Sequence, residues 1–262
     1  MNIPFYKCNS KGNDFIIILH DNNLNYKFFN KEKIQNICNY GSSSSIDGLI
    51  LLNKKNDLII MDYYNNDGSW ETFCLNGAVC CSLILFKELR NNHFDIISNS
   101  IVYKIEIFEN NNIHVQINQP FYRKKNIIID NYRSDYLDSG AKHLVVHYKD
   151  GWKDIKVLKE KMQKMRYNKI FNPDGINVNF YKIIKPGIIE VKTYEKGIES
   201  LMDSCASGSY ACAYDYSRKN SYNKKINVIN DGGDSQIVFG EDYNRNFFIS
   251  KGLIEYKGEL EI

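Results

Sequence analysis

Cys-Leu-Asn-Gly-Ala-Val-Cys-Cys, at residues 74–81, is the stretch around which the chain is organised. The pattern Cys-x-x-Gly-x-x-x-Cys returns at residues 205–212 as Cys-Ala-Ser-Gly-Ser-Tyr-Ala-Cys. Each copy follows an acidic, turn-rich stretch and runs into an apolar or aromatic segment. Two such octets, about half a chain apart, predict a duplicated unit that brings one cysteine per copy to a shared site.

Composition sets limits on the class of protein. The chain has 262 residues and a formal net charge of +3, so it is long enough for one large domain or two smaller ones. Its basic residues are scattered, which favours a solvated surface over a nucleic-acid groove. No apolar run approaches the ~20 residues that span a bilayer. We therefore expect neither a nucleic-acid partner nor a membrane partner.

The seven cysteines point to a reducing compartment. The chain opens without the basic and apolar regions of a secretory signal, so we expect a cytoplasmic protein with reduced thiols. Neither octet has Cys-x-x-Cys spacing, and the five histidines do not cluster near them, so we expect no metal.

Hydrophobic patterns predict an α+β protein whose halves repeat one theme of strands, a turn, a cysteine at a helix N-terminus, a helix and more strands. Strand, turn and strand are expected within residues 5–20, and a single strand within Ile96–Ile107. Helices are expected at Lys31–Cys38, about Leu75–Leu89, Leu158–Met165 and about Ala206–Arg218. Two such halves facing each other would place Cys74 and Cys205 across a cleft.

The position of Cys74 and Cys205 at helix N-termini predicts chemistry. A helix N-terminus has unsatisfied N–H groups and a partial positive charge, which stabilise a thiolate and bind carboxylates. Gly77 and Gly208 in the first turns are expected to let a substrate approach the backbone. Two opposed N-termini would hold one α-carboxylate and put one sulfur on each face of the α-carbon. That arrangement suits stereochemical inversion without a cofactor, with His143 and Glu195 as candidate proton-handling partners of the two sulfurs.

The remaining cysteines are expected to be packing residues for the most part. Cys38, Cys80, Cys81 and Cys212 fall on or near apolar helix faces, where a buried thiol behaves as a small apolar group. For Cys8 the core and the edge of a cleft remain equally open.

Several motifs in order along nearly the whole chain resemble those of the diaminopimelate epimerase family. The matching stretches are Phe-Tyr-Lys-Cys-Asn-Ser-Lys-Gly-Asn-Asp-Phe at 5–15, Ile-Asp-Gly-Leu at 46–49, Asn-x-Asp-Gly at 65–68, Cys-x-Asn-Gly at 74–77, Gly-x-x-His-x-Val at 140–145, Asn-Val-Asn-Phe at 177–180, Val-Lys-Thr-Tyr-Glu-Lys-Gly at 191–197 and Cys-x-Ser-Gly at 205–208.

The resemblance implies a fold of two pseudo-symmetric domains of mixed, mostly antiparallel sheet wrapped around a central helix, with the active site in the cleft between them. The N-terminal half would be residues 1–118 plus about 251–262, and the C-terminal half residues 119–250. The implied catalytic residues are Cys74, Cys205, His143 and Glu195. The implied substrate-binding residues are Asn13, Asn65, Asn76, Gly77, Asn177, Lys196, Ser207 and Gly208.

The implied activity is interconversion of LL- and meso-diaminopimelate, an isomerase step of lysine biosynthesis, with an amino-acid substrate and without a metal or other cofactor. A homodimer is also implied.

Departures from the family pattern keep alternatives open. Leu75 and Ala206 replace the glycines after the two cysteines, and Ala141-Lys142 replaces Asn-Pro before His143. Lys196 replaces an arginine, and Leu201-Met202 stands where the family has Glu-Thr. A related racemase or epimerase with altered distal specificity has the same signature. A non-catalytic amino-acid-binding relative is a weaker alternative, because a binding protein has no need of two thiols kept with His143 and Glu195. A thiol-redox protein is a further alternative, although we expect a disulfide between the two thiols to inactivate the protein.

Overall fold

The structure is a computed structural model that describes residues 2–21, 26–39, 46–55, 58–71, 73–221 and 225–261. Within these residues the chain is a mixed α+β protein in which strands predominate and four α-helices occur, as the sequence predicts. It divides into two compact units, Met1–Gln116 with Ile249–Ile262, and Ile117–Phe248.

The secondary-structure elements have the following bounds. The strands are β1 (Asn2–Ser10), β2 (Asn13–His20), β3 (Gly48–Lys55), β4 (Leu58–Asn65), β5 (Trp70–Glu71), β6 (His93–Ser98), β7 (Ile101–Ile107), β8 (Ile113–Ile117), β9 (Phe121–Ile129), β10 (Tyr132–Asp138), β11 (Lys142–His147), β12 (Asn177–Lys185), β13 (Ile188–Glu195), β14 (Ser200–Met202), β15 (Lys225–Ile229), β16 (Ser235–Phe239), β17 (Asn246–Ser250) and β18 (Leu253–Glu261). The helices are α1 (Lys31–Asn39), α2 (Leu75–Leu89), α3 (Ile155–Arg166) and α4 (Ala206–Asn220).

The first unit is built on two parallel crossovers. Strand β1 pairs antiparallel with β2 and with the last strand, β18. Strands β2 and β3 are parallel across α1, and β4 and β6 are parallel across α2. Antiparallel pairs β3–β4, β4–β5, β6–β7 and β7–β8 also belong to this part of the sheet. Helix α1 packs Ile34, Ile37 and Cys38 into the core beneath β2 and β3.

One strand prediction in this unit is wrong. Ile96–Ile107 is not a single strand, because β6 and β7 form a hairpin in which Ser98 pairs with Ile101. The turn residues Asn99 and Ser100 have φ values of 46° and 63°. Two consecutive residues with positive φ define the tight turn that matches the twist of hairpin strands. The sequence lacks the glycine that usually marks such a turn, so the apolar residues on both sides of it predicted one continuous strand.

Helix α2 is deeply packed in the first unit. Ten of its fifteen residues are buried, from Leu75 through Leu85 with one gap. A helix that is apolar on nearly every side is stable only when protein surrounds it. Its bounds agree with the sequence prediction, because the apolar run starts directly after Cys74 and ends at Arg90, which is in the left-handed conformation at the C-cap.

The second unit follows its own series of pairings. Strand β10 pairs antiparallel with β9 and with β11. Strands β11 and β12 are parallel across α3, and β13 and β15 are parallel across α4. Antiparallel pairs β12–β13, β13–β14 and β15–β16 complete the series. Eleven of the fifteen residues of α4 are buried.

Because α4 buries polar side chains, each of them needs a partner. Asp215 is fully buried and accepts hydrogen bonds from the hydroxyls of Tyr122 and Tyr181 at 3.0 and 2.9 Å. Lys219 donates to Asp215 at 2.8 Å and pairs with Asp135 at 2.6 Å. Burial raises the pKa of Asp215, an effect that the nearby Lys219 ammonium opposes. This charge cluster fixes the second half of α4 in the unit.

Candidate active site

Cys74 is the N-cap residue of α2, as the sequence predicts. Its backbone is extended, with φ −121° and ψ 114°, and its Sγ accepts a hydrogen bond from the backbone N–H of Gly77 at 3.4 Å. A sulfur in this position receives the partial positive charge of the first helical turn, which favours the thiolate over the thiol. Cys74 is half-buried, so its sulfur is partly accessible.

Asn76 and Asn13 form a buried amide pair beside Cys74. The Asn76 amide donates to Oδ1 of Asn13 at 2.6 Å. Asn13 in turn donates to Asp47 at 3.3 Å, and the same Asp47 oxygen accepts the backbone N–H of Asp14 at 2.9 Å. In the part of the chain that the structure describes, Oδ1 of Asn76 is buried without a hydrogen-bond partner. An acceptor left in this state is suited to a donor group of a ligand, such as an ammonium.

The glycine at position 77 serves packing. A Cβ on Gly77 would lie 2.6 Å from Cδ1 of Ile50 and 3.3 Å from Cε of Met61, which belong to β3 and β4. A side chain at position 77 would point into the sheet and not toward a substrate. The expectation that Gly77 provides clearance for the substrate is therefore wrong. Leu75, the residue that departs from the family pattern, is itself buried.

Asn65 is the last residue of β4 and comes directly before the turn to β5. Its amide donates to Ser69 at 3.1 Å and to Glu71 at 3.4 Å, while its Oδ1 accepts the hydroxyl of Tyr63 at 2.9 Å. The side chain therefore shapes the turn that precedes Cys74. The described contacts join Asn13, Asn76, Gly77 and Cys74 into one group, whereas Asn65 belongs to the neighbouring turn.

Cys205 is the N-cap residue of α4 and has nearly the same backbone conformation as Cys74, without the side-chain capping hydrogen bond seen there. Its φ and ψ are −129° and 107°, within 8° of the values at Cys74. Cys205 is buried, with 8% of its surface exposed, and its Sγ lies 3.6 Å from Oγ of Ser207. Both predicted N-termini are therefore confirmed, since each cysteine is the N-cap residue of its helix.

His143 lies beside Ser207 in the second unit. Its Nε2 is 3.1 Å from the Ser207 hydroxyl, and its Nδ1 is 3.0 Å from Nδ2 of Asn179. The imidazole is fully buried, and this burial lowers the pKa of His143 to about 4. His143 is therefore neutral at physiological pH and serves as a hydrogen-bonding group in its resting state.

Strand register explains why these side chains meet. His143 on β11 pairs with Asn177 on the parallel strand β12, and Asn179 pairs with Thr193 on β13. Thr193 donates to Oδ1 of Asn179 at 2.8 Å. A Cβ on Gly208 would lie 2.2 Å from that same oxygen. Gly208 is thus required because a side chain there would collide with Asn179. As for Gly77, the expected role in substrate clearance is wrong.

Glu195 and Lys196 are at the end of β13. Glu195 is half-buried and is the last residue of the strand, and Lys196 is exposed. Oδ1 of Asn177 accepts the Lys196 backbone N–H at 2.8 Å, so Asn177 holds this loop in place. The carboxylate of Glu199 accepts the Gly197 N–H at 3.1 Å and pairs with buried Arg166.

The structure shows the surroundings of several side chains that depart from the family pattern. Lys142 is exposed and lies 3.7 Å from the carboxylate of Asp174. Leu201 is half-buried and packs against the core of the second unit, and Ala206 is buried.

The cysteines predicted to be packing residues are buried, which confirms the prediction. Cys38, Cys80, Cys81 and Cys212 are each 0% exposed. Burial raises the pKa of Cys38 to about 12 and the pKa of the other three well above the ordinary thiol value. Cys8, for which the sequence left both the core and the edge of a cleft open, is also fully buried and belongs to the core.

Sequence reasoning missed the supporting residues Asn179, Thr193 and Asp47. Each was visible inside a recognised motif or next to one, but its contact depends on strand register and not on spacing along the chain. Asn179 offered one signal, since it lies two residues from Asn177 and so shares a strand face with it.

The described residues set two further limits. They contain no cluster of three or more His, Cys, Asp or Glu side chains arranged to hold a metal ion. None of the helices in the described ranges combines the length and apolar character needed to cross a membrane.

Solved structures with the same fold include an epimerase and a phenazine biosynthesis protein. A hydroxyproline epimerase from Agrobacterium vitis superimposes with a TM-score of 0.77 at 9% identity, covering 99% of this chain and 92% of that one. A phenazine biosynthesis protein of the PhzF family from Enterococcus faecalis gives 0.73 at 12% identity, covering 100% of both. The chain therefore has the fold shared by these epimerases, racemases and PhzF-like proteins.

Sequence comparison shows which family within this fold the chain resembles in sequence. A diaminopimelate epimerase from Flavobacterium psychrophilum is 33% identical over 99% of this chain and 100% of its own length. Another from Aquifex aeolicus is 29% identical over 98% of both chains. No protein-family model matches the chain. The chain belongs to the diaminopimelate epimerase family, which is a family of isomerases.

Proposed function

We propose that this protein interconverts LL- and meso-diaminopimelate by two-base proton transfer at the α-carbon, with Cys74 and Cys205 as the two acid/base groups. The observation that carries the proposal is that both cysteines are N-cap residues of deeply buried helices with nearly the same backbone angles. Family membership supplies the substrate class, since the relatives named above are diaminopimelate epimerases.

The chemistry balances without a cofactor. One cysteine, as the thiolate, takes the α-proton, so a C–H bond breaks and an S–H bond forms. The other cysteine, as the thiol, gives its proton to the opposite face of the carbanion and becomes the thiolate. The reverse direction exchanges the two roles. The reaction requires that both sulfurs reach one α-carbon.

Stabilisation of the carbanion must come from the protein. The first-turn N–H groups of α2 and α4 are proposed to bind the substrate α-carboxylate, because helix N-termini favour anions. Asn76, whose buried Oδ1 needs a donor, is proposed to accept a hydrogen bond from the α-ammonium. Asn13 holds Asn76 in the required orientation through their 2.6 Å hydrogen bond.

The other predicted roles are proposed as well. His143 and Glu195 are proposed to assist the two cysteines. Asn13, Asn65 and Asn177 are proposed to contact the substrate, and Lys196 to meet its distal end. Further proposed substrate contacts are Gly77, Ser207 and Gly208, through the backbone N–H groups of the two first turns.

We also propose that the two units are pseudo-symmetric copies, each a sheet wrapped around a central helix, divided near residues 118 and 251. The order of pairings supports this: β2–β3 and β4–β6 in the first unit have counterparts in β11–β12 and β13–β15 in the second. We propose a homodimer from the resemblance alone, and light scattering after size-exclusion chromatography would measure its mass.

An NMR screen in deuterated water tests the function. Purified protein is incubated with LL-diaminopimelate and, in separate samples, with the common amino acids, and loss of each α-proton signal is followed. The proposal predicts deuterium incorporation with diaminopimelate. Incorporation only with another amino acid would support a racemase of altered specificity, which the Lys196 and Ala141 substitutions favour. Binding without exchange would identify a non-catalytic relative.

A further inference from the structure

The side chains of His143, Ser207 and Cys205 form a continuous line in the second unit. The distance from His143 Nε2 to Ser207 Oγ is 3.1 Å, and from Ser207 Oγ to Cys205 Sγ it is 3.6 Å. The second distance is ordinary for a hydrogen bond to sulfur, whose radius exceeds that of oxygen. Ser207 is half-buried and His143 is fully buried, so the line lies largely out of water.

The proton positions along this line follow from Asn179. Its Nδ2 faces two groups that only accept, the backbone oxygens of Leu144 at 3.3 Å and Asn177 at 3.4 Å. Its Oδ1 accepts from the hydroxyl of Thr193 at 2.8 Å. Nδ2 is therefore the amino end and donates to Nδ1 of His143. A neutral imidazole has one acceptor and one donor nitrogen, so the proton of His143 is on Nε2.

The direction of the next hydrogen bond follows in turn. Nε2–H of His143 donates to Oγ of Ser207, which leaves the Ser207 hydroxyl proton available. A thiolate has no proton and only accepts. We propose that Ser207 is a positioning residue that directs its hydroxyl proton at the Cys205 thiolate, with the neutral His143 holding that hydroxyl in place.

This inference deepens the proposed function and rests on it for its effect on turnover. When Cys205 acts as base, it must first exist as the thiolate, and a hydrogen bond to the charged form favours that state. The proton of His143 stays on Nε2 throughout, so the imidazole polarises the serine and takes up no proton from the substrate. Its low basicity, caused by burial, suits this role because the ring stays neutral across the working pH range.

Asp138, Cys212 and Lys219 are titratable groups that act on this line or on its neighbours in the part of the chain that the structure describes. The Asp138 carboxylate, at the end of β10, acts electrostatically on His143 and opposes the effect of its burial on the pKa. Cys212, about two turns along α4, interacts electrostatically with Cys205 but is fully buried as a thiol. Lys219 acts on Cys212 from the end of the same helix.

The experiment measures the thiolate of Cys205 directly. The full-length protein, without substrate, is alkylated with iodoacetamide at a series of pH values, and the modified cysteine peptides are quantified by mass spectrometry. The variants are Ser207→Ala, which removes the hydroxyl, and Ser207→Thr, which restores it. Ser209→Ala is the matched control, because it removes a buried hydroxyl of the same helix that donates to Asn230.

We expect Ser207→Ala to move the pH midpoint of Cys205 alkylation upward by about one unit, so that the rate below the midpoint falls about tenfold. Ser207→Thr and Ser209→Ala should keep the wild-type midpoint, and Cys74 in the same samples should be unchanged. An unchanged midpoint in Ser207→Ala, or an equal shift in Ser209→Ala, would overturn the inference. Failure of the epimerase proposal would appear only in the deuterium-exchange assay, so the two failures are distinguishable.

Discussion

Replacement of His143 by asparagine should make the second unit less sensitive to acid than the wild type. The asparagine Oδ1 can accept the hydrogen bond that Asn179 now donates to Nδ1. The variant therefore keeps one partner of the ring but removes the titratable group. Its overall stability at neutral pH is expected to fall, because the contact with Ser207 is lost.

The magnitude follows from the pKa of His143. The folded protein holds it at about 4, whereas an unfolded chain has an ordinary histidine near 6.5. Between these values the unfolded state binds the extra proton, so stability falls as pH falls and is lost progressively from about pH 6.5 to about pH 4. From pH 7 to pH 5 this linkage amounts to about 2 kcal/mol of unfolding free energy. The wild type should lose this amount of unfolding free energy between pH 7 and pH 5, and His143→Asn should not.

The assay is urea unfolding at pH 7 and pH 5, followed by the fluorescence of Trp152 in the second unit. The Trp70→Phe background leaves Trp152 as the single tryptophan. His93→Asn is the control, since this histidine belongs to the first unit and its side chain is 63% exposed. Equal losses between pH 7 and pH 5 in the wild type and His143→Asn would refute the assignment of a neutral, buried imidazole.

Two further substitutions test the surroundings of α4. Gly208→Ala should lower stability by about 1–3 kcal/mol and reduce turnover, because its Cβ would lie 2.2 Å from the hydrogen-bonded Oδ1 of Asn179; thermal unfolding and proton exchange would measure both effects. Lys219→Met should cost about 3–5 kcal/mol in urea unfolding at neutral pH, because it leaves the carboxylates of Asp135 and Asp215 buried without their cation.

Matched controls separate these effects from general sensitivity to substitution. Gly151→Ala should be close to neutral, since no described atom lies within 4 Å of the position its Cβ would take. Lys104→Met should cost less than about 1 kcal/mol, because the Lys104–Asp95 pair is exposed to solvent. Large losses in these controls, or none in Gly208→Ala and Lys219→Met, would contradict the packing account.

The sequence was sufficient for the elements that local patterns determine. Helix α2 was predicted with its observed bounds, and α4 with its start at Ala206, because a cysteine followed by a continuous apolar or aromatic run marks an N-terminus. The wrong strand at Ile96–Ile107 shows the limit of such patterns. Its turn is formed by Asn99 and Ser100, and apolar residues on either side gave the appearance of continuity.

The site residues show the same limit of local sequence patterns. The sulfurs of Cys74 and Cys205 were identified from repetition and helix geometry. The reason for the two first-turn glycines was misread, because the atoms that exclude a side chain, Ile50 and the amide of Asn179, come from strands distant in sequence. The neutral state of His143 likewise depends on burial, which only the folded structure reveals.

Exchange of the substrate α-proton with deuterated water in Cys74→Ala and Cys205→Ala tests the two-base account most directly. Cys81→Ala and Cys212→Ala are matched controls from the same two octets, with buried thiols that the mechanism does not use. The account predicts that each of the first two variants loses at least about a hundredfold in exchange rate with LL-diaminopimelate while the controls retain exchange. Near wild-type exchange in either Cys74→Ala or Cys205→Ala would contradict it.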